Sequence, residues 1–264
     1  MSNPIHEFEG GNSAGMNAAY RGAGTASGYR RPISTELAAH IREWHDAALR
    51  AVNAGDGTDQ TFAYLGNTLT VPPDVHQITG VSHLLGEAVL AEVGDEDHVL
   101  DMGTGSGVNA ILAASRGAHV VAVDIHPQAR DVAYRNVDRS GLTDRIEILR
   151  SDLFTEVSGQ FDVIIYEPQV SWYEPTDLLE IIGAIEDKRT LTSFIRRARQ
   201  YLTQMRGRIL CFVGPSPDLA NLVDLAAEES YATDVIAQEA LITNGRSVDH
   251  YAIRLTPSLQ HEDN

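Results

Sequence analysis

The chain has 264 residues, 43% apolar and 22% charged, a size at which a single hydrophobic core still grows, so one sizeable globular domain with an appendage is expected. Acidic residues outnumber basic ones 37 to 20, a formal net charge of -17; this repels a phosphate backbone and disfavours nucleic acid as a partner, though it also serves as an ordinary solvated surface. One cysteine, Cys211 in the apolar run Ile209 to Val213, excludes an intrachain disulfide and a cysteine-rich metal site. Met1 to Glu7 lacks the basic start and apolar stretch of a signal peptide, and no uncharged run is long enough to span a bilayer. A cytoplasmic protein with no membrane partner is expected.

Residues 1 to 30, rich in Gly, Ser, Asn and Ala, read as a flexible arm, with a lid that orders over a ligand as the alternative. Residues 31–94 form a helical and hairpin extension. From the N-cap candidate Ser34, Leu37, Ile41, Trp44, Ala48 and Val52 recur at helical spacing. Thr61 to Leu65 and Thr68 to Val71 flank Gly66-Asn67 as a short hairpin ended by Pro72-Pro73. A helix follows with Val81, Leu84, Leu85, Ala88 and Val89 on one face and Gly94 beyond its end.

Over residues 95–264 short apolar runs alternate with helical patterns, the mark of a parallel sheet covered on both faces. The predicted strands are His98 to Met102, Val120 to Asp124, Ile146 to Arg150, Phe161 to Tyr166 and Arg208 to Val213. Predicted helices include Pro127 to Ser140, with Gly141 after the end, and Leu191 to Leu202. A run to Thr243, then Asn244-Gly245, then Val248 to Leu255 breaks the alternation and predicts an antiparallel hairpin. The fold class is α/β, a Rossmann-like seven-stranded, mostly parallel sheet with a C-terminal antiparallel hairpin.

Val99 to Ile111 reads as a buried strand, a glycine loop and a helix start, where absent side chains let a nucleotide-like cofactor approach the backbone. The loop Asp101-Met102-Gly103-Thr104-Gly105-Ser106-Gly107 spaces its glycines as G-x-G-x-G, and Val108 stands where a dinucleotide fingerprint has its third glycine. Asp124, with Ile125 after it, ends the next strand, where a carboxylate accepts ribose hydroxyls or caps the helix from Pro127. Ser151-Asp152-Leu153-Phe154 adds an acidic residue and an apolar wall for a purine at the third strand end. The ten histidines form no zinc-binding spacing, so no metal site is expected; His76 and His83 read as surface or packing residues, with a place at the border of the pocket as the alternative.

On these motifs, and on Val71-Pro72-Pro73 and Phe161-Asp162-Val163-Ile164-Ile165, the chain resembles the class I S-adenosylmethionine (SAM)-dependent methyltransferases. Within that class it is most similar to the release-factor glutamine methyltransferases over Thr61 to Leu255. The resemblance implies SAM as cofactor, with Asp101, Gly103, Gly105 and Gly107 along its methionine and ribose portions, Asp124 and Ile125 at the ribose, and Asp152 with Leu153 at the adenine.

At the fourth strand end those relatives carry Asn-Pro-Pro-Tyr, whereas this chain has Glu167-Pro168-Gln169-Val170. An ionised Glu donates no hydrogen bond but binds a cation or hydroxyl or removes a proton. The expected acceptor is therefore a small molecule, possessed of a nucleophilic N, O or C, with Glu167, Tyr166 and Trp172 as the acceptor-side residues. Glu174 reads as a solvated loop residue. The alternatives are a protein side-chain methyltransferase of the glutamine type, a non-catalytic SAM-binding protein, and an NAD(P)-dependent oxidoreductase. The oligomeric state stays open, a homodimer included.

Overall fold

A computed structural model describes residues 59–72, 82–168, 178–214, 216–243 and 246–258. The arm over 1–30, the helix predicted from Ser34, His76, Trp172, Glu174 and the turn Asn244-Gly245 lie outside the described residues.

The chain first makes a two-stranded antiparallel sheet from β1 (Gln60–Tyr64) and β2 (Asn67–Val71). Its turn is Leu65-Gly66, one residue earlier than predicted, with Tyr64 paired to Asn67. Both turn residues have positive φ, 44° and 83°, as the two-residue turn that follows strand twist requires. Asn67 supports the turn from outside, donating through Nδ2 to the Leu65 carbonyl at 3.2 Å. Helix α1 (His83–Glu92) follows and buries Leu84, Leu85, Ala88 and Val89 of the predicted face, whose Val81 lies outside the described residues.

The large sheet is built from β3 (His98–Met102), β4 (His119–Asp124), β5 (Ile146–Arg150), β6 (Val163–Tyr166), β7 (Arg208–Val213), β8 (Tyr231–Thr243) and β9 (Arg246–Pro257). The spatial order is β5-β4-β3-β6-β7-β9-β8, with the first five strands parallel and β9 antiparallel to both β7 and β8. The predicted seven-stranded sheet and its antiparallel end are both present. β6 starts at Val163 because Phe161 instead bridges Leu202.

Alternation along the strands sorts side chains into two cores. Leu100, Met102, Ile164, Tyr166, Ile209 and Cys211 face α4 (Leu178–Tyr201) and α5 (Ser216–Glu228), packing with Phe194, Ile195, Leu219 and Leu222. Val99, Val163, Ile165 and Leu210 face the other way, joining Leu85 and Val89 of α1, Ile111 and Leu112 of α2 (Val108–Ser115) and Val137 of α3 (Pro127–Arg139). Tyr64 and Leu69 of the hairpin enter this second core, so the hairpin is packed on the sheet domain.

The end of α3 matches its signals: Gly141 has φ 68°, its N–H donates to Asp138 and that of Leu142 to Val137, a Schellman closure. Helix α4 is longer than the predicted Leu191 to Leu202. Gly183 and the charged run Glu186 to Arg189 interrupt the apolar periodicity without ending the helix, and Arg189 is exposed. Cys211 is fully buried and its thiol is pushed up to about 12 by that burial.

At the N-terminal edge of the parallel strands, carboxylates meet arginines. Buried Asp97 takes Arg206, Arg208 at 3.6 Å and the Gly94 N–H at 2.9 Å. Glu92 pairs with Arg208 at 3.2 Å and Arg254 at 2.9 Å, and Arg254 also reaches Asp234 at 3.0 Å. Among the described residues, no helix is long and apolar enough to cross a membrane.

Candidate active site

The opposite, C-terminal edge is where the sheet changes direction: β4 lies on one side of β3 and β6 on the other. Ligands of doubly wound sheets bind in the crevice such a switch opens. The segment after β3 is held in it by its own backbone. The N–H groups of Gly103 and Thr104 both donate to the Val123 carbonyl, at 2.8 and 2.9 Å, and Gly107 N–H closes onto Thr104 at 2.8 Å.

Gly103, Gly105 and Gly107 have φ of 71°, 54° and 83°, a region in which a side chain is strained. They are required for different reasons. A Cβ at Gly103 would meet nothing within 4 Å, so its backbone faces open space. A Cβ at Gly107 would lie 3.1 Å from the Ala133 Cα, so this glycine lets the loop rest on α3.

Asp101, at 2% exposure, ties the loop to α2. Its Oδ2 accepts from Thr104 Oγ1 at 2.6 Å and from Ala110 N–H, in the first turn of α2, at 3.1 Å. Burial pushes its carboxyl up to about 7; the bonds from Thr104 and Ala110 work against that rise, and the charges of Asp124 and Glu167 add to it. Asp124 is also buried and holds two segments: Oδ2 accepts from Gly105 N–H at 3.0 Å and Oδ1 from His126 N–H at 2.9 Å, just ahead of α3. The capping contact is therefore present, while each carboxylate oxygen has two acceptor positions and can take a further donor.

At the end of β5, Ser151 organises the loop: its Oγ donates to Leu153 O at 2.7 Å and accepts from Glu156 N–H at 3.1 Å. Leu153 is half-buried at φ 46°, Asp152 is exposed, and Ile125, just after β4, is 50% exposed. An exposed isoleucine and a leucine in a strained turn next to a carboxylate fit a flat, partly apolar group.

Glu167 follows β6 and is half-buried. Tyr166 is buried in the α4-side core, its ring centroid 4.1 Å from that of Phe194. That ring therefore packs in the core beside α4.

Two site neighbours were missed from the sequence. Tyr64, at the end of β1, is buried with its hydroxyl over Gly86, where a Cβ would stand 2.5 Å away. Its hydroxyl is held well above the usual tyrosine range by burial, then by the charges of Glu167 and Glu87. Nothing local in the sequence links Tyr64 to Glu167. Asn136 did carry a signal, a polar residue in the buried stripe Ala129, Val132, Ala133, Val137 of α3.

SAM carries positive charge on its sulfonium and its ammonium. The edge fits it: the charges of Asp124 and Glu167 both reach Asp101, beside a glycine whose backbone faces open space. The stretch 76–167 matches the ribosomal protein L11 methyltransferase (PrmA) family. A protein of Methanocaldococcus jannaschii provisionally named protein N5-glutamine methyltransferase is 34% identical over 147 residues, 52% of this chain and 71% of that protein. The chain belongs to the class I SAM-dependent methyltransferases.

With that membership the NAD(P) alternative falls. Other methyltransferase relatives are matched over less of their length. The release factor glutamine methyltransferase of Chlorobaculum tepidum is 39% identical over 89 residues, 30% of each chain. The ribosomal protein L11 methyltransferase of Thermotoga neapolitana is 35% identical over 109 residues, 41% of this chain and 39% of that one. The chain thus spans well under half the length of these two relatives. The crystal structure of a ribosomal protein L11 methylase from Lactobacillus delbrueckii subsp. bulgaricus shares the fold, with TM-score 0.52 and 20% identity over 69% of this chain and 81% of that one.

These names correct the expectation of a small-molecule acceptor. The three curated relatives described above are named for protein acceptors, a release factor, ribosomal protein L11 or a protein glutamine. The earlier expectation rested on the missing Asn-Pro-Pro-Tyr and chiefly on Glu167, and a change of one polar group alters which nitrogen is recognised, not the size of the molecule carrying it.

Proposed function

We propose that this chain transfers the methyl group of SAM to a side-chain nitrogen of a protein. The observation that carries the reading is the 34% identity reaching across 71% of the M. jannaschii relative, on a strand edge that supplies a glycine loop and carboxylates. In this reading Gly103 and Gly105 lie along the methionine portion, Asp124 takes the ribose hydroxyls, and Ile125, Asp152 and Leu153 border the adenine. Asp101 holds the loop in shape.

When bound, SAM supplies a methyl carbon activated by its sulfonium; the bond from carbon to sulfur breaks as that from carbon to nitrogen forms. The protein has to align the nitrogen, exclude water and take the proton that the nitrogen loses. Glu167 is the group for the last task, as an acceptor of N–H and a general base. A carboxylate offers no donor to an amide carbonyl, so its presence in place of Asn favours an amine over a glutamine amide.

The test is transfer of tritium from methyl-labelled SAM to proteins of a cell extract, followed by complete hydrolysis and amino-acid analysis. Methylated amine in the protein fraction is expected. Label confined to the protein-free fraction, with SAM bound, would overturn the reading. Glu167→Gln is expected to lower kcat about a hundredfold while SAM affinity stays within about twofold.

A further inference from the structure

Asn136 is fully buried in α3, and both ends of its amide are used. Its Oδ1 accepts from the Thr70 N–H at 3.0 Å, and its Nδ2 donates to the Thr70 carbonyl at 3.1 Å and to the Ser106 carbonyl at 2.8 Å. The side chain thus pairs with the outward peptide groups of β2 as a neighbouring strand would, and with the same nitrogen grips the glycine loop between Gly105 and Gly107. Arg139 reinforces the link, donating to Thr70 Oγ1 at 2.9 Å and to Asn136 Oδ1. Val71 and Val132 close against each other beside it.

The hairpin so held carries Tyr64 at its other end, packed over Gly86, and Tyr64 is the described hairpin residue on which the Glu167 charge acts. One buried amide therefore ties the glycine loop to the hairpin that carries Tyr64. A buried amide with all its partners in place defines one geometry, and losing it leaves peptide groups of both segments unsatisfied.

We infer that Asn136 is a positioning residue that couples the glycine loop to the β1-β2 hairpin, so that SAM bound at the loop also orders the hairpin. This rests on SAM binding at the loop, as proposed above. The linkage is reciprocal: whatever orders the hairpin also strengthens SAM binding.

Amide hydrogen exchange of the full chain with and without SAM tests it. In the native protein, SAM is expected to slow exchange at least about fivefold both in a peptide covering 103–110 and in one covering 60–71. In Asn136→Ala the loop peptide remains protected by SAM and the hairpin peptide loses its response. Arg139→Met, which weakens the link from the surface, is expected to reduce the hairpin response in part, and decides the matter if Asn136→Ala does not fold. The inference is overturned if SAM protects the loop but never the hairpin of the native protein, or if the hairpin response survives both substitutions. If SAM protects neither segment, the cofactor reading falls and the coupling falls with it.

Discussion

The two edges of the parallel sheet collect the same kind of residue and treat it differently. At the N-terminal edge, Asp97 and Glu92 face Arg206, Arg208 and Arg254, so charge is neutralised within the protein. At the C-terminal edge, Asp101 and Asp124 are held by backbone N–H groups and a threonine hydroxyl. Neutral donors fix the geometry of a carboxylate without cancelling its field. One edge neutralises its carboxylates with arginines; the other, in the proposed reading, offers its carboxylates to a cationic ligand.

The largest effect separating the edges is expected from Asp97→Ala. Removing a buried carboxylate and leaving its arginines behind should cost about 3 kcal/mol, read by urea denaturation, while the folded fraction binds SAM with unchanged affinity. Asp124→Ala should instead act on the ligand: SAM affinity falls about a hundredfold by calorimetry, the loss of charged hydrogen bonds worth about 2–3 kcal/mol. If Asp97→Ala weakened SAM binding as strongly as Asp124→Ala, the contrast between the edges would be wrong.

Asp101 gives the comparison a pH dependence. Its folded value of about 7 lies above the ordinary 3.8, so the native state holds a proton that the unfolded state has lost, and stability from this group is present below about pH 4 and fades as pH rises through about 7. A cationic ligand favours the ionised form. SAM binding should therefore release a proton near neutrality and strengthen about tenfold between about pH 5.5 and 7.5; calorimetry in buffers of different ionisation enthalpy measures it, and Asp101→Asn should abolish the release. The smallest effect is expected at the acceptor wall, where Tyr64→Phe should lower kcat/KM for the protein acceptor about tenfold with SAM affinity unchanged. Equal loss of SAM affinity would move Tyr64 to the cofactor side.

Much of this was legible in advance because the signals were local. The strands ending at Met102, Asp124, Arg150 and Tyr166 are short apolar runs, the glycine loop is set by backbone conformation, and Pro127 and Gly141 bracket α3. What was missed depends on contacts distant in sequence. Nothing near Tyr64 announces Glu167, and the buried position of Tyr166 follows from Phe194 on a helix whose start the charged run obscured. The hairpin turn shifted by one residue because Leu65 accepts a positive φ once Tyr64 and Asn67 pair across it. The acceptor was misread because a single side chain stood for a whole surface.

The lone thiol offers a built-in clock. Cys211 lies in the middle strand of the β6-β7-β9 ladder, fully buried, with its ionisation suppressed, so a thiol reagent reaches it only when the sheet itself opens. Labelling of the unmodified protein under native conditions then counts global openings one molecule at a time. The same measurement with SAM present registers how far the ligand steadies the whole molecule, with no probe introduced.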